Sequence, residues 1–322
     1  MSKNFYFIQE KNIRKTYILI ALFILIVTLF GFLIDYYFLY FPVFTKIPLF
    51  TIVAFIFSII NSFISYKFGD SIILKVIGAR TPNLSDLREK ILLNVVEEIK
   101  IASGIPMPRI YILDIEIPNA FATGKNPENS SIVVTRGLLE LLNREELQGV
   151  IGHEISHIRN RDILVMTVAA TLVGTVVLLS DLSYRLLRSQ ILKGNQIFKR
   201  RVIRNSAFVL LIIVLLFIFS ILGPLFARLT FFAISRSREY LADASSAELT
   251  RNPLALAKAL EKISSSQIPD RWKTKGISHM CIVSPLKSKI EKAENIFANL
   301  MSTHPPVEKR IKILKQMAGI IN

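Results

Sequence analysis

The chain has 322 residues, 52% of them hydrophobic, with a mean hydropathy of +0.46, which excludes an ordinary soluble globular protein. Lysine and arginine number 40 against 24 acidic residues, a formal charge of +16; no nucleic-acid-binding module accompanies these cations, which flank apolar runs. Attraction to anionic lipid headgroups therefore accounts for them, and nucleic acid is not an expected partner.

Taken in chain order, the first features are two apolar runs, Tyr17 to Ile34 and Ile47 to Tyr66. Each is about long enough to cross roughly 30 Å of hydrocarbon as a helix. The first lacks a small-residue cleavage site and ends in Tyr36-Tyr37-Phe38, so it reads as an anchor and not a cleaved leader. Lys3, Lys11, Arg14 and Lys15 precede it against Glu10, whereas the loop to the second run has only Lys46 and Asp35. The positive-inside tendency then places the N-terminus in the cytosol, and the return crossing brings the following segment there too. The expected organisation is a membrane hairpin over residues 1–66, then the first part of a cytosolic catalytic domain over 67–162.

Within that domain the pattern turns extended at Arg109-Ile110-Tyr111-Ile112-Leu113, Ala120-Phe121-Ala122-Thr123 and Ser131-Ile132-Val133-Val134-Thr135, with Pro118, Gly124 and Pro127 as punctuation. A small antiparallel sheet is the expectation. Its edge near Asn119 and Ala120 either pairs with an extended peptide or is plain scaffold.

Asn143 followed by Glu146 reads as a helix N-cap with its partner three residues on, opening a helix that carries His153-Glu154-Ile155-Ser156-His157. Histidines at i and i+4 share one face and can hold one Zn²⁺, and the intervening Glu154 can take a proton from water at the metal. Chance would place this pattern about 0.002 times in a chain of this composition. Gly149 and Gly152 remove bulk beside the histidines, which suits close packing of a neighbouring element. A catalytic zinc needs a third ligand and an open position. The continuation Ile158-Arg159-Asn160-Arg161-Asp162-Ile163 lacks the glycine and third histidine of the metzincin extension, so a distant carboxylate is the usual alternative, with His304 or His279 next in line.

A second hydrophobic hairpin follows over 163–227, with apolar runs Ile163 to Leu179 and Ala207 to Ala227. Its loop, about 183–206, carries Arg185, Arg188, Lys193, Lys199, Arg200, Arg201 and Arg204 with no acid, against the positive-inside tendency. Four spans are expected, with a hairpin lying in the cytosolic half of the bilayer as the alternative. Beyond it, the second part of the catalytic domain, 228–322, offers Glu239 and Asp243 one turn apart. Glu239 is the expected third ligand; Asp243 can accept the free ring N–H of a ligating histidine. Asn252-Pro253 starts another helix. His279 and the single cysteine, Cys281, stand in contexts that suggest packing; a lone cysteine suits a reducing compartment. His304-Pro305-Pro306 and Arg310 close the series.

The zinc helix, Glu239 to Asp243, Asn119-Ala120-Phe121-Ala122 and His304-Pro305-Pro306 with Arg310, in this order and among four apolar segments, resemble the HtpX family of membrane-bound zinc endopeptidases. The related CAAX prenyl endopeptidases share the motif but have more spans. The resemblance implies a mainly α membrane protein with a cytosolic α+β gluzincin-like domain in the plasma membrane. It implies quality control of damaged or misfolded membrane proteins as the task. By motif match, His153, His157 and Glu239 bind Zn²⁺, Glu154 is the base, Asp243 supports a ligand, and Asn119 and Ala120 contact substrate backbone. His304, steadying an oxyanion, and Arg310 match positions near substrate. Outside this class stands a silent membrane scaffold in which His304 closes a structural four-ligand zinc site.

Overall fold

A computed structural model of the chain describes residues 2–39, 48–192, 236–266 and 305–320. In chain order these form α1 (Ser2–Leu39), α2 (Leu49–Ile77), α3 (Leu87–Ser103), β1 (Arg109–Leu113), β2 (Ala120–Asn126), β3 (Asn129–Thr135), α4 (Arg136–Leu141), α5 (Arg144–Arg159), α6 (Asp162–Leu192), α7 (Arg236–Thr250), α8 (Pro253–Ser265) and α9 (Val307–Met317).

Helix α1 contains the first apolar run and α2 holds the second from Leu49 on, and both are long and apolar enough to cross a membrane. They fold back on each other because Asp35, which the sequence suggests only as a loop charge, lies in α1 and caps α2. Its carboxylate accepts the backbone N–H groups of Phe50 (3.1 Å) and Thr51 (2.7 Å) and the Thr51 hydroxyl (2.7 Å). Pro48, at the cap position itself, supplies no such bond. Large side chains such as Leu25, Leu29, Ile56 and Ile60 point outward, whereas Ser58, Ser62, Ser65 and Gly69 face the interior of the helix cluster. Small residues allow close approach where apolar burial gives little drive; a Cβ on Gly69 would sit 2.9 Å from the Thr167 methyl of α6.

The third apolar run is the start of α6, where Leu164, Val165, Val168 and Leu172 pack on Leu19 and Phe23 of α1. It joins α5 at an 85° bend. The loop expected from residue 183 begins later, since α6 continues to Leu192, with Arg185 donating to Asp181 one turn back. The fourth apolar run and the rest of that loop lie outside the described residues. Two spans, with α5 and α6 as a bent third, are what the described residues provide toward the expected four.

The sheet is mixed and not antiparallel. Its strand order is β1-β3-β2, with β2 antiparallel and β1 parallel to β3. Residues 127–128 return the chain tightly from β2 to β3, but the connector after β1 carries the chain past its neighbour's place. Apolar alternation shows which residues are strands and not which strands adjoin. Beneath the sheet, α3, α4 and α5 share one hydrophobic core with α8 and α9: Leu92, Val96, Leu138, Ile151 and Ile155 pack with Leu256, Leu260, Val307 and Leu314. Segments far apart in sequence thus enclose the helix that bears the histidines.

Candidate metal centre

Helix α5 opens with the capping box expected from the sequence. Asn143 Oδ1 accepts the Glu146 N–H and Glu146 Oε2 accepts the Asn143 N–H, each at 2.9 Å, an arrangement that contributes about 1 kcal/mol. The glycines let two helices approach: a Cβ on Gly149 would lie 2.8 Å from the Leu256 nitrogen of α8, and one on Gly152 would lie 2.9 Å from Ser246 Oγ of α7. Ser246 in turn donates to the Gly149 carbonyl at 2.6 Å. This contact brings α7, and with it Glu239, against the histidine face.

His153, His157 and Glu239 offer ligand atoms that all lie within 4.8 Å of one another, and all three residues are buried. The two Nε2 atoms are 3.2 Å apart. Glu239 Oε2 stands 3.7 Å from His153 Nε2, and Oε1 stands 3.6 Å from His157 Nε2. The opposite ring nitrogens are engaged by carboxylates. His153 Nδ1 is 3.0 Å from Asp243 Oδ1, and His157 Nδ1 is 3.0 Å from Asp162 Oδ2. Each Nδ1 therefore carries a proton to donate, which turns the Nε2 lone pairs inward. Two imidazole lone pairs and a carboxylate converging in a buried space repel one another unless a cation joins them. Tetrahedral zinc with nitrogens at 2.0–2.1 Å would set those nitrogens about 3.3 Å apart. The donor set and spacing fit that ion.

Electrostatics point the same way. Burial alone would lower the His157 imidazole, yet the Asp162 hydrogen bond and the charges of Glu239, Asp162 and Glu154 raise it to about 9. Burial pushes the Glu154 carboxyl up, with the Glu239 charge adding to it, against the pull of both histidines and an Ala122 N–H bond. For Asp243 the balance reverses: burial opposes ionisation, but the Arg310 charge, its hydrogen bonds and His153 hold the carboxyl at about 2.

Arg310 enters from α9 and is fully buried. Its Nε and Nη2 donate to the two Asp243 oxygens at 2.8 and 2.6 Å, and Nη1 lies 3.7 Å from Glu239 Oε2. Where sequence matching sets Arg310 near substrate, the structure sets it behind the ligands, bracing Asp243 and facing Glu239. His304 lies outside the described residues.

Ala120 begins β2 and Asn119 directly precedes it, both buried. Asn119 exchanges hydrogen bonds with Thr135 of β3, so the backbone groups of the alternate residues Ala120, Ala122 and Gly124 point to the other edge. There the Gly124 N–H donates to Thr167 Oγ1 at 3.0 Å, and the Ala122 N–H lies within reach of the Glu154 carboxylate. The edge of β2 thus runs beside Glu154.

Sequence reasoning passed over Asp162, Asn12 and Arg238. Asp162 Oδ1 accepts Asn12 Nδ2 of α1 at 2.7 Å and Arg238 Nη1 of α7 at 2.8 Å while its other oxygen faces His157. Asn12 also donates to the Asn160 carbonyl (2.9 Å), and Gln9 to that of Arg159 (2.8 Å). An acid five residues past the second histidine, beyond the helix end, was the available signal.

Residues 86–318 match the model of peptidase family M48. The chain belongs to that family, among the HtpX proteases. It is 45% identical over 315 residues to the protease HtpX homolog of Thermoanaerobacter pseudethanolicus, covering 98% of each chain. The homologs of Dictyoglomus turgidum (42%, covering 97% of this chain and 95% of the relative) and Lactobacillus acidophilus (39%, 95% and 98%) are similar throughout. Among solved structures, the crystal structure of S. mikatae Ste24p aligns with TM-score 0.45 and 20% identity, covering 89% of this chain and 62% of that one. The peptidase is thus a membrane zinc endopeptidase, and His153, His157 and Glu239 are the candidate place for its metal.

Proposed function

We propose that this peptidase hydrolyses peptide bonds of membrane proteins, or of chains tethered at the membrane, on the cytosolic face of the plasma membrane, as part of the removal of damaged or misfolded proteins. The observation that carries the reading is the convergence of both Nε2 lone pairs and the Glu239 carboxylate beside Glu154. His153, His157 and Glu239 are three donors, the number a catalytic zinc takes from protein when its fourth position is kept for solvent. Proximity to lipid supports the choice of substrate: α1 is hydrogen-bonded to the turn that immediately follows His157. The cations of the N-terminal segment support a cytosolic orientation and contact with anionic headgroups.

When bound, zinc supplies a Lewis acid that acidifies water and polarises a carbonyl. The chain's own residues do the rest. His153 and His157 are held in the Nδ1–H tautomer by Asp243 and Asp162, so that their Nε2 atoms face the ligand position. Glu154, its carboxyl raised by burial, takes a proton from the attacking water and passes it to the leaving amine. The edge of β2 at Ala120, with Asn119 beside it, lines up an extended substrate backbone. Arg310 acts through Asp243 and Glu239, and His304 steadies the developing oxyanion.

Purified protein in detergent, given an unfolded membrane protein, should cleave it; a chelator should stop cleavage and added zinc restore it. Glu154→Gln should fold, hold zinc and cleave nothing. Cleavage that ignores the chelator, or a fully active Glu154→Gln, refutes the proposal.

A further inference from the structure

The turn between α5 and α6 and the start of α7 hold cations whose donors are not used up. Arg238 is largely buried and spends only Nη1, on Asn12 Oδ1 (3.1 Å) and Asp162 Oδ1; its Nε and Nη2 are buried without a hydrogen-bond partner. Arg161 Nε is buried and unpartnered too. Arg161 also adopts φ +58°, a conformation that side chains other than glycine, asparagine and aspartate seldom take. Such strain persists only where surroundings or function hold it.

Asn12 of α1, one turn before Lys15, joins these segments: it donates to the Asn160 carbonyl and to Asp162 on either side of Arg161, and accepts from Arg238. Lys15 is within electrostatic reach of Arg238, Lys11 and Asp162. Arg161 is within electrostatic reach of Tyr66 of α2, whose ring stacks with Tyr17 of α1 at 6.4 Å. The acid among them, Asp162, is already shared by His157, Asn12 and Arg238. Buried guanidinium donors left unpaired cost free energy, and planar guanidinium forks match the oxygens of a phosphate. Paired tyrosines beside cations at the end of an apolar helix are the usual company of a headgroup.

We infer that Arg161, Arg238 and Lys15 form a binding site for an anionic phospholipid headgroup, one whose phosphate charge is not offset by a choline cation, at the end of the α1–α2 hairpin. This rests on the membrane reading of the proposed function and deepens it by naming the partner's site. Because Arg238 bridges this site to Asp162, and Asp162 orients His157, an occupied site would fix the turn that follows the second histidine. Protease and lipid chemistry would then meet in one residue pair.

The test is lipid retention by the full chain carrying Glu154→Gln, so that neither autolysis nor loss of protease activity affects the readout. Native mass spectrometry from detergent should show phosphatidylglycerol retained about tenfold over phosphatidylcholine. Lys15→Gln with Arg161→Gln should remove that preference, and Lys15→Arg with Arg161→Lys should keep most of it; circular dichroism checks that each variant is folded. Inorganic phosphate at millimolar concentration distinguishes the sources: failure to displace the lipid shows a headgroup site that needs its chain, and displacement shows a site for the anion itself. Equal retention of both lipids by the wild type, or equal preference in the wild type and the glutamine variant, overturns the inference. Neither result touches the chelator-sensitive cleavage, which stands or falls separately.

Discussion

Replacing Arg310 by methionine removes a fully buried guanidinium while keeping much of its length. Two hydrogen bonds to Asp243, at 2.8 and 2.6 Å, disappear, together with the cation 3.7 Å from Glu239. Both carboxylates are about 1% exposed, so water cannot take over. Breaking a buried pair by removing one partner costs about 3–5 kcal/mol, a large part of the roughly 5–15 kcal/mol that holds a domain together. At about 2–4 °C per kcal/mol, the melting temperature should fall by about 6–20 °C. Asp243 without Arg310 also holds His153 less firmly, so metal should leave more readily to a chelator, by roughly 10–100-fold in affinity. Thermal melting in detergent and elemental analysis after graded chelation measure both effects. A residue that touched substrate would give the opposite pattern: wild-type melting, full metal content and a raised KM. That pattern would refute the bracing role assigned here.

Asp162→Ala should weaken metal binding by roughly 10–100-fold without touching a ligand, read by competition with a chromophoric chelator; unchanged affinity removes Asp162 from the account. In metal-free protein the His157 value of about 9 lies above the roughly 6.5 of a free imidazole. The stability this adds is therefore complete below about 6.5 and lost as pH rises through about 9. Metal competes with the same proton, so its affinity should rise across that window by up to about tenfold per pH unit; a flat profile contradicts the assignment. Gly149→Ala should cost about 1–3 kcal/mol, because its Cβ would meet the α8 backbone at 2.8 Å, and wild-type melting would argue against that contact.

The shared face of His153 and His157 was legible because i and i+4 spacing on a helix fixes it whatever the tertiary setting. Glu239 and Asp243 were legible for the same reason once a third ligand was required, and the capping box at Asn143 and Glu146 marked where the helix began. What escaped depends on contacts between segments with no shared period. Arg310 reaches Asp243 only because α9 packs on α8 and α7 behind α5, and Asp162 reads in sequence as nothing more than the residue before an apolar run. Asp35 looked like a loop charge because its partners, Phe50 and Thr51, belong to the next helix. The parallel pairing of β1 with β3 was hidden because alternation reports burial, not adjacency.

The central claim is that His153, His157 and Glu239 hold one zinc with a position left open for water. X-ray absorption at the zinc edge on intact protein, with elemental analysis of the same sample, tests it most directly. The account predicts one zinc per chain bound by two imidazole nitrogens, carboxylate oxygen and at least one exchangeable oxygen from solvent. A site closed by four protein side chains, or folded wild-type protein that contains no zinc and still cleaves, would contradict it.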